Sequence, residues 1–231
     1  MSIAIALISK DNGAVGSDTL IYSGATYENN VITKWAEKED EPYSKVRRYK
    51  RLNILLAVTG MMRLNGNDVL TEIERIIDTY DLNSGGELKK VAEFVASEVH
   101  KRIMGENIRH LSKNFQLILL SQEKLFLGDY MYYYYVFTPI GGSISMDLKE
   151  IKSSAVLKGR YFHYLPFGDT LAQDAIHKAM KSIKIEEKNA RQYYFKVIDY
   201  AIREGITHCG PHPEAQGTHP SCGGTPSKIL I

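Results

Sequence analysis

Cysteine is nearly absent from this chain: Cys209 and Cys222 are the only two in 231 residues, and both lie in the last 23. That excludes a disulfide-stapled secreted scaffold. An excess of either charge is also missing. Lys and Arg number 29 against 27 Asp and Glu, a net +2, so no strong field draws the chain to nucleic acid or anionic lipid. Long apolar runs are absent as well. The start, Ile3-Ala-Ile-Ala-Leu-Ile8, holds six apolar residues with no basic segment before it, too short for a membrane span or a signal peptide. The expected compartment is the cytoplasm. With 44% hydrophobic and 24% charged residues the chain is neither disordered nor a coiled coil. No repeat at a period of 20 to 50 residues is visible.

What is present reads as β, then paired helices, then β and paired helices again, with a last short strand. Residues 3–9 and 14–22 flank Asn12-Gly13 and predict a hairpin. The charged, proline-containing stretch 35–44 predicts an exposed loop. Basic residues 45–51 lead into the buried run Ile54-Leu-Leu-Ala-Val58 before Thr59-Gly60. Val69, Leu70, Ile73, Ile76 and Ile77 share one helical face, with Asn67 or Asp68 as the cap, and Leu88, Val91, Val95 and Val99 form a second stripe. Residues 115–120, 132–137 and 143–146 are strand-like. Helical periods return at 171–180 and 190–202. Neighbouring strands without intervening helices predict largely antiparallel sheets with helices outside them.

Met1 precedes Ser2, and methionine is commonly trimmed before a small side chain. A chain beginning at Ser2 carries a hydroxyl and an α-amine on one residue. That amine, with a pKa near ~8, is partly neutral at pH 7 and can act as base for its own hydroxyl. Asp18 lies sixteen residues after Ser2, within Gly16-Ser17-Asp18-Thr19. Lys45-Val46 precedes a strand and stands fifteen residues before Gly60, while Lys34 stands thirty-two after Ser2.

In this order and spacing the chain resembles the proteasome β-type subunits, including bacterial ring-protease subunits of that family. Further along, Phe137-Thr-Pro-Ile-Gly-Gly-Ser143, Phe167-Gly-Asp-Thr-Leu-Ala172, Ala201-Ile-Arg-Glu-Gly-Ile206 and Cys222-Gly-Gly224 before Ile229-Leu-Ile231 carry the resemblance nearly to the end. It implies an α+β fold, a four-layer αββα sandwich of two largely antiparallel sheets known from N-terminal nucleophile hydrolases. It implies one domain over 1–231, with loop insertions at 35–44 and 208–221. It also implies Ser2 as nucleophile, Asp18 beside a catalytic lysine, and Gly60 as oxyanion donor. Lys34 sits at the family's usual offset; Lys45 has the better local context and is preferred. The implied activity is peptide-bond hydrolysis inside a homo-oligomeric ring, with no cofactor, an unfolded protein or peptide as substrate, and an ATPase unfoldase as a possible partner. A non-catalytic ring subunit and an amidase for a small substrate are the alternatives.

Three departures bear on the site. Serine stands in place of threonine. The turn at 167–170 lacks the family's serine between glycines. The aspartate three residues before the final Ser-Gly-Gly is replaced by His219.

The same tail holds Cys209-x2-His212 and His219-x2-Cys222. Thiolate and imidazole at two-residue spacing suit zinc, although the six residues between the pairs are fewer than in familiar zinc fingers. Three readings fit: an exposed loop with reduced thiols, a structural zinc held by Cys209, His212, His219 and Cys222, or a Cys209–Cys222 disulfide. The Tyr132–Tyr135 run predicts a strand packed on one face.

Overall fold

The computed structural model describes every residue except Met1, Lys10, Asp11, Asn30, Met61, Asn65, 81–87, 106–114, 126–129, 141–142, 157–161, 184–189, Glu214 and Ile231. The turn glycines 85–86 and 141–142 lie outside the described residues.

The opening apolar run becomes β1 (Ile3–Ser9), which is buried along its whole length because both its faces are covered. It pairs antiparallel with β2 (Gly13–Ser17) on one side and with β14 (Phe162–Gly168) on the other; β15 (Ser227–Leu230) closes the far edge. The order is β14-β1-β2-β15. A second antiparallel sheet has the order β13-β12-β11-β8-β7. Its strands are β7 (Val46–Tyr49), β8 (Ile54–Thr59), β11 (Gln116–Lys124), β12 (Tyr130–Ile140) and β13 (Ser143–Lys152).

Side-chain alternation builds the layers. Ala4, Ala6, Ile8 and Val15 of the first sheet meet Leu55, Ala57, Ile118, Leu120, Tyr132 and Tyr134 of the second. The opposite face of the second sheet, through Leu56, Val58, Leu117 and Leu119, packs on α1 (Val69–Thr79) and α2 (Leu88–Gly105). Ile3, Ile5, Leu7 and Ala14 pack on the outer pair, α4 (Thr170–Ser182) and α5 (Ala190–His208). A short helix, α3 (Ser153–Val156), follows β13. The result is helix, sheet, sheet, helix: the four-layer αββα sandwich in the α+β class. Each fully buried Leu or Ile contributes ~1.5–3 kcal/mol, so the doubly covered β1 is a principal anchor.

Several details refine the sequence reading. The strand expected over 14–22 ends at Ser17. Tyr22–Ser23 (β3) instead pairs with Glu37–Lys38 (β6), so the stretch expected as a loop carries one short strand. Two further ribbons are β4 (Thr26–Glu28) with β5 (Val31–Lys34), and β9 (Arg63–Leu64) with β10 (Asn67–Asp68). Strand β14 had no expectation attached, because Pro166 and the mixed polarity of 162–168 hide it. The tyrosine run alternates: Tyr132 and Tyr134 point between the sheets, and Tyr133 points toward the helices.

Candidate active site

Ser2 lies just before β1 and is 3% exposed. The peptide unit joining it to Ile3 is held at both ends. Its N–H, on Ile3, donates to Asp18 Oδ1 at 3.0 Å, and its carbonyl, on Ser2, accepts from the Asp169 N–H at 2.9 Å. The two groups of a trans peptide point opposite ways, so the two aspartates approach from opposite sides.

Asp18 follows the end of β2 and is fully buried. Its Oδ1 also accepts from Lys45 Nζ at 2.8 Å, and its Oδ2 accepts from the Gly223 N–H at 3.1 Å. Lys45 is itself 0% exposed, and its ammonium also donates to the Leu20 carbonyl. A buried ion pair of this kind is tolerable only when hydrogen bonds satisfy both partners, as they do here. Lys45 directly precedes β7, an edge strand, and its ammonium reaches Asp18 and Leu20 just beyond the end of β2. Lys34 is elsewhere. It ends β5, its side chain is 59% exposed, and its ion partner is Glu37 at 3.9 Å. Of the two candidate lysines, only Lys45 is placed beside Asp18 and the Ser2–Ile3 peptide.

Glycines allow the close approaches. At Gly168 φ is +102°, and a Cβ would come within 1.8 Å of the Ser2 carbonyl oxygen. That crowding explains why no side chain stands there. Gly224, with φ at +74°, lets the final turn lie against Thr19, whose Oγ1 would sit 2.3 Å from a Cβ. Gly60 is also left-handed, at φ +82°, and follows directly on β8. Its neighbour Thr59 pairs in register with Gln116, and Gln116 Oε1 accepts from the Gly168 N–H at 2.9 Å. Gly60 thus sits at the same end of the sandwich as Ser2.

In the turn at 167–170, Phe167 and Gly168 stand where sequence reasoning looked for serine, and Asp169 follows them. Asp169 is 2% exposed. It caps α4 by accepting from the Ala172 N–H at 2.9 Å. Its carboxylate also accepts from the Gly210 N–H at 3.2 Å and from Ser221 Oγ–H at 2.8 Å. An Asp before a helical period is the local signal that could have found the cap. The ties to residues 210 and 221 are long-range and left no local signal.

The tail 208–221 forms a small hairpin. Ser221 N–H donates to the Gly210 carbonyl, His212 N–H donates to the His219 carbonyl, and Pro211 faces Pro220. His212 is 8% exposed and its ring lies 4.2 Å from that of Tyr22; burial, with the nearby Lys45 charge, pushes its imidazole down to about 3. His219 is exposed instead. It borders a cavity of about 570 Å³ with Tyr22, Trp35 and Lys38. Cys209 and Cys222 are free thiols brought together: Cys222 N–H donates to Cys209 Sγ at 3.3 Å. Burial pushes the Cys222 thiol up, which disfavours the thiolate that a metal needs. Among the described residues no group of three or more His, Cys, Asp or Glu side chains is arranged to hold a metal. Cys209, His212, His219 and Cys222 therefore are not gathered as the set the spacing suggested.

No helix of the described residues is long and apolar enough to cross a membrane. No family model matches the chain, and no curated protein does. Among solved structures it is similar to "Anbu (ancestral beta-subunit) from Yersinia bercovieri", at 12% identity and a TM-score of 0.47, over 99% of this chain and 81% of that one.

Proposed function

We propose that this chain is a proteasome-type peptidase whose nucleophile is Ser2, freed by removal of Met1. The observation that carries the reading is the buried Lys45–Asp18 pair bonded to the Ser2–Ile3 peptide. A lysine and an aspartate sealed from water beside a serine at position 2 have little structural use, since an apolar pair would fill the space at no electrostatic cost. They do have a chemical one. The lysine charge favours the serine alkoxide, and Asp18 holds the lysine in place.

In the proposed reaction the neutral Ser2 amine takes the Oγ proton, directly or through water, as Oγ bonds to the substrate carbonyl carbon. The carbonyl oxygen becomes an oxyanion, stabilised by the Gly60 N–H, a role worth ~3 kcal/mol. The carbon–nitrogen bond then breaks and the leaving amine receives the proton. Water attacks the resulting ester, and its proton returns through the same amine to Oγ. No cofactor enters. The substrate is a peptide or unfolded chain, the working form is a homo-oligomeric ring, and an ATPase unfoldase is a fitting partner.

Hydrolysis of a fluorogenic peptide panel by the wild-type chain and by Ser2→Ala tests this. Release of fluorophore by the first and none by the second is the expected result. Equal rates would remove Ser2 as the nucleophile, and no release by either under conditions where the chain assembles would favour the non-catalytic ring subunit.

A further inference from the structure

We infer that Asp169 is the positioning residue for the nucleophile, acting with Ser221, so that the carboxylate sought three residues before Cys222-Gly-Gly is supplied from the start of α4 instead. This rests on the reading of Ser2 as nucleophile.

His219 stands at the position where sequence reasoning looked for a supporting carboxylate, and it is exposed. Asp169 is buried and touches Ser2 directly through its backbone, its N–H donating to the Ser2 carbonyl. Its side chain meanwhile holds Ser221, which is 0% exposed, and both ends of the 210–221 hairpin through Gly210 N–H and Ser221 Oγ. A carboxylate has about four acceptor sites. Here Ala172, Gly210 and Ser221 all donate to it, more than a helix cap requires.

Capping alone does not explain the arrangement. Serine, asparagine or threonine would cap α4 comparably. None would also offer two acceptor oxygens and a negative charge to the base of the hairpin. The Ser2 carbonyl can therefore shift only if Asp169 shifts, and Asp169 can shift only if the hairpin base opens. Asp18 and Lys45 fix the other end of the same peptide unit. Ser2 is thus set from both sides, by one aspartate on the lysine side and one on the hairpin side.

The test uses the full chain and a peptide α′,β′-epoxyketone. Its cyclic double adduct needs a hydroxyl and a free amine on one residue. The limiting rate of adduct formation and the inhibitor concentration at half that rate are measured by intact mass for wild type, Asp169→Asn and Ser221→Ala, with thermal unfolding of each. Asparagine keeps the cap and the volume but loses the charge and one acceptor. The expected result for Asp169→Asn is a limiting rate lowered about tenfold or more, an unchanged half-saturation concentration and a melting temperature near wild type. Ser221→Ala should lower the same rate by a smaller factor. A purely structural Asp169 would lower melting temperature and leave the limiting rate of folded molecules untouched; that outcome overturns the proposal while Ser2 keeps its role. Should Asp169→Asn not fold, a wild-type rate in Ser221→Ala overturns it. An unreactive wild-type chain would instead remove the nucleophile reading, and this inference with it.

Discussion

At the scale of single residues, the two candidate lysines make opposite predictions. Lys45→Ala leaves Asp18 buried with its charge unpaired, and should cost about 3–5 kcal/mol in denaturant unfolding. Lys34→Ala touches only an exposed ion pair with Glu37, and should change stability by less than about 0.5 kcal/mol. Similar losses for both would contradict the burial of Lys45. Gly168→Ala adds a Cβ within 1.8 Å of the Ser2 carbonyl, on a backbone that L side chains rarely adopt. It should destabilise by more than about 1 kcal/mol and misplace Ser2, read as a drop in both melting temperature and adduct rate.

His212 gives a prediction in pH. Its imidazole is held at about 3 in the folded chain against an ordinary 6.5. The unfolded chain therefore takes up a proton, as pH falls below 6.5, that the folded chain refuses. The stability conferred by the neutral ring is complete above pH 6.5 and declines as pH falls from there toward 3. Between pH 7 and pH 5 the loss attributable to His212 should be about 2 kcal/mol. Denaturant unfolding of wild type and His212→Gln at both pH values checks it: the variant should show a shallower pH dependence, and parallel dependences would contradict the burial of this ring.

Secondary-structure elements show where sequence alone sufficed. The stripe from Val69 to Ile77 and the Asp68 cap form α1 as expected, with Asp68 accepting from the Thr71 N–H at 2.7 Å and pairing with Arg47 at 3.1 Å. Local periodicity and capping chemistry are properties of adjacent residues, so they are legible in order along the chain. The same holds for β1, β8 and β11, whose apolar runs mark strands covered on both faces. Strand β14 was hidden because its identity depends on pairing with β1, which lies 165 residues away at Ile3–Gly168 and 153 residues away at Ser9–Phe162. The end of β14 at Gly168 was visible as a turn; the Asp169 cap and the contact with Ser2 came from the structure. Likewise the Cys and His spacing of the tail suggested a metal, whereas a hairpin turned His212 onto Tyr22 and left His219 outside. Asp68→Ala separates element from site. It should cost about 1 kcal/mol by loss of the α1 cap and leave adduct formation at Ser2 unchanged, because α1 covers the outer face of the second sheet. A large fall in adduct rate would show coupling across the sandwich that the layers do not suggest.

For the whole molecule, two sheets back to back bring together segments from the start, the early middle and the end of the chain. Asp18, Lys45, Asp169, Ser221 and Gly223 converge on one peptide unit at position 2 through hydrogen bonds spanning up to 205 residues. A convergence of buried charge on so early a residue is the feature the proposed function explains. The ring is tested in solution: light scattering on the purified chain should give a multiple of 26.1 kDa, and a monomer at that mass would contradict assembly.

The central claim is that residue 2 becomes a nucleophile bearing its own base. The most direct measurement is peptide mapping by mass spectrometry of the purified chain, before and after the epoxyketone. The account predicts an N-terminal peptide that begins at Ser2 and carries the whole adduct, with no adduct in Ser2→Ala. A chain that retains Met1, or an adduct that maps to any other residue, would contradict it.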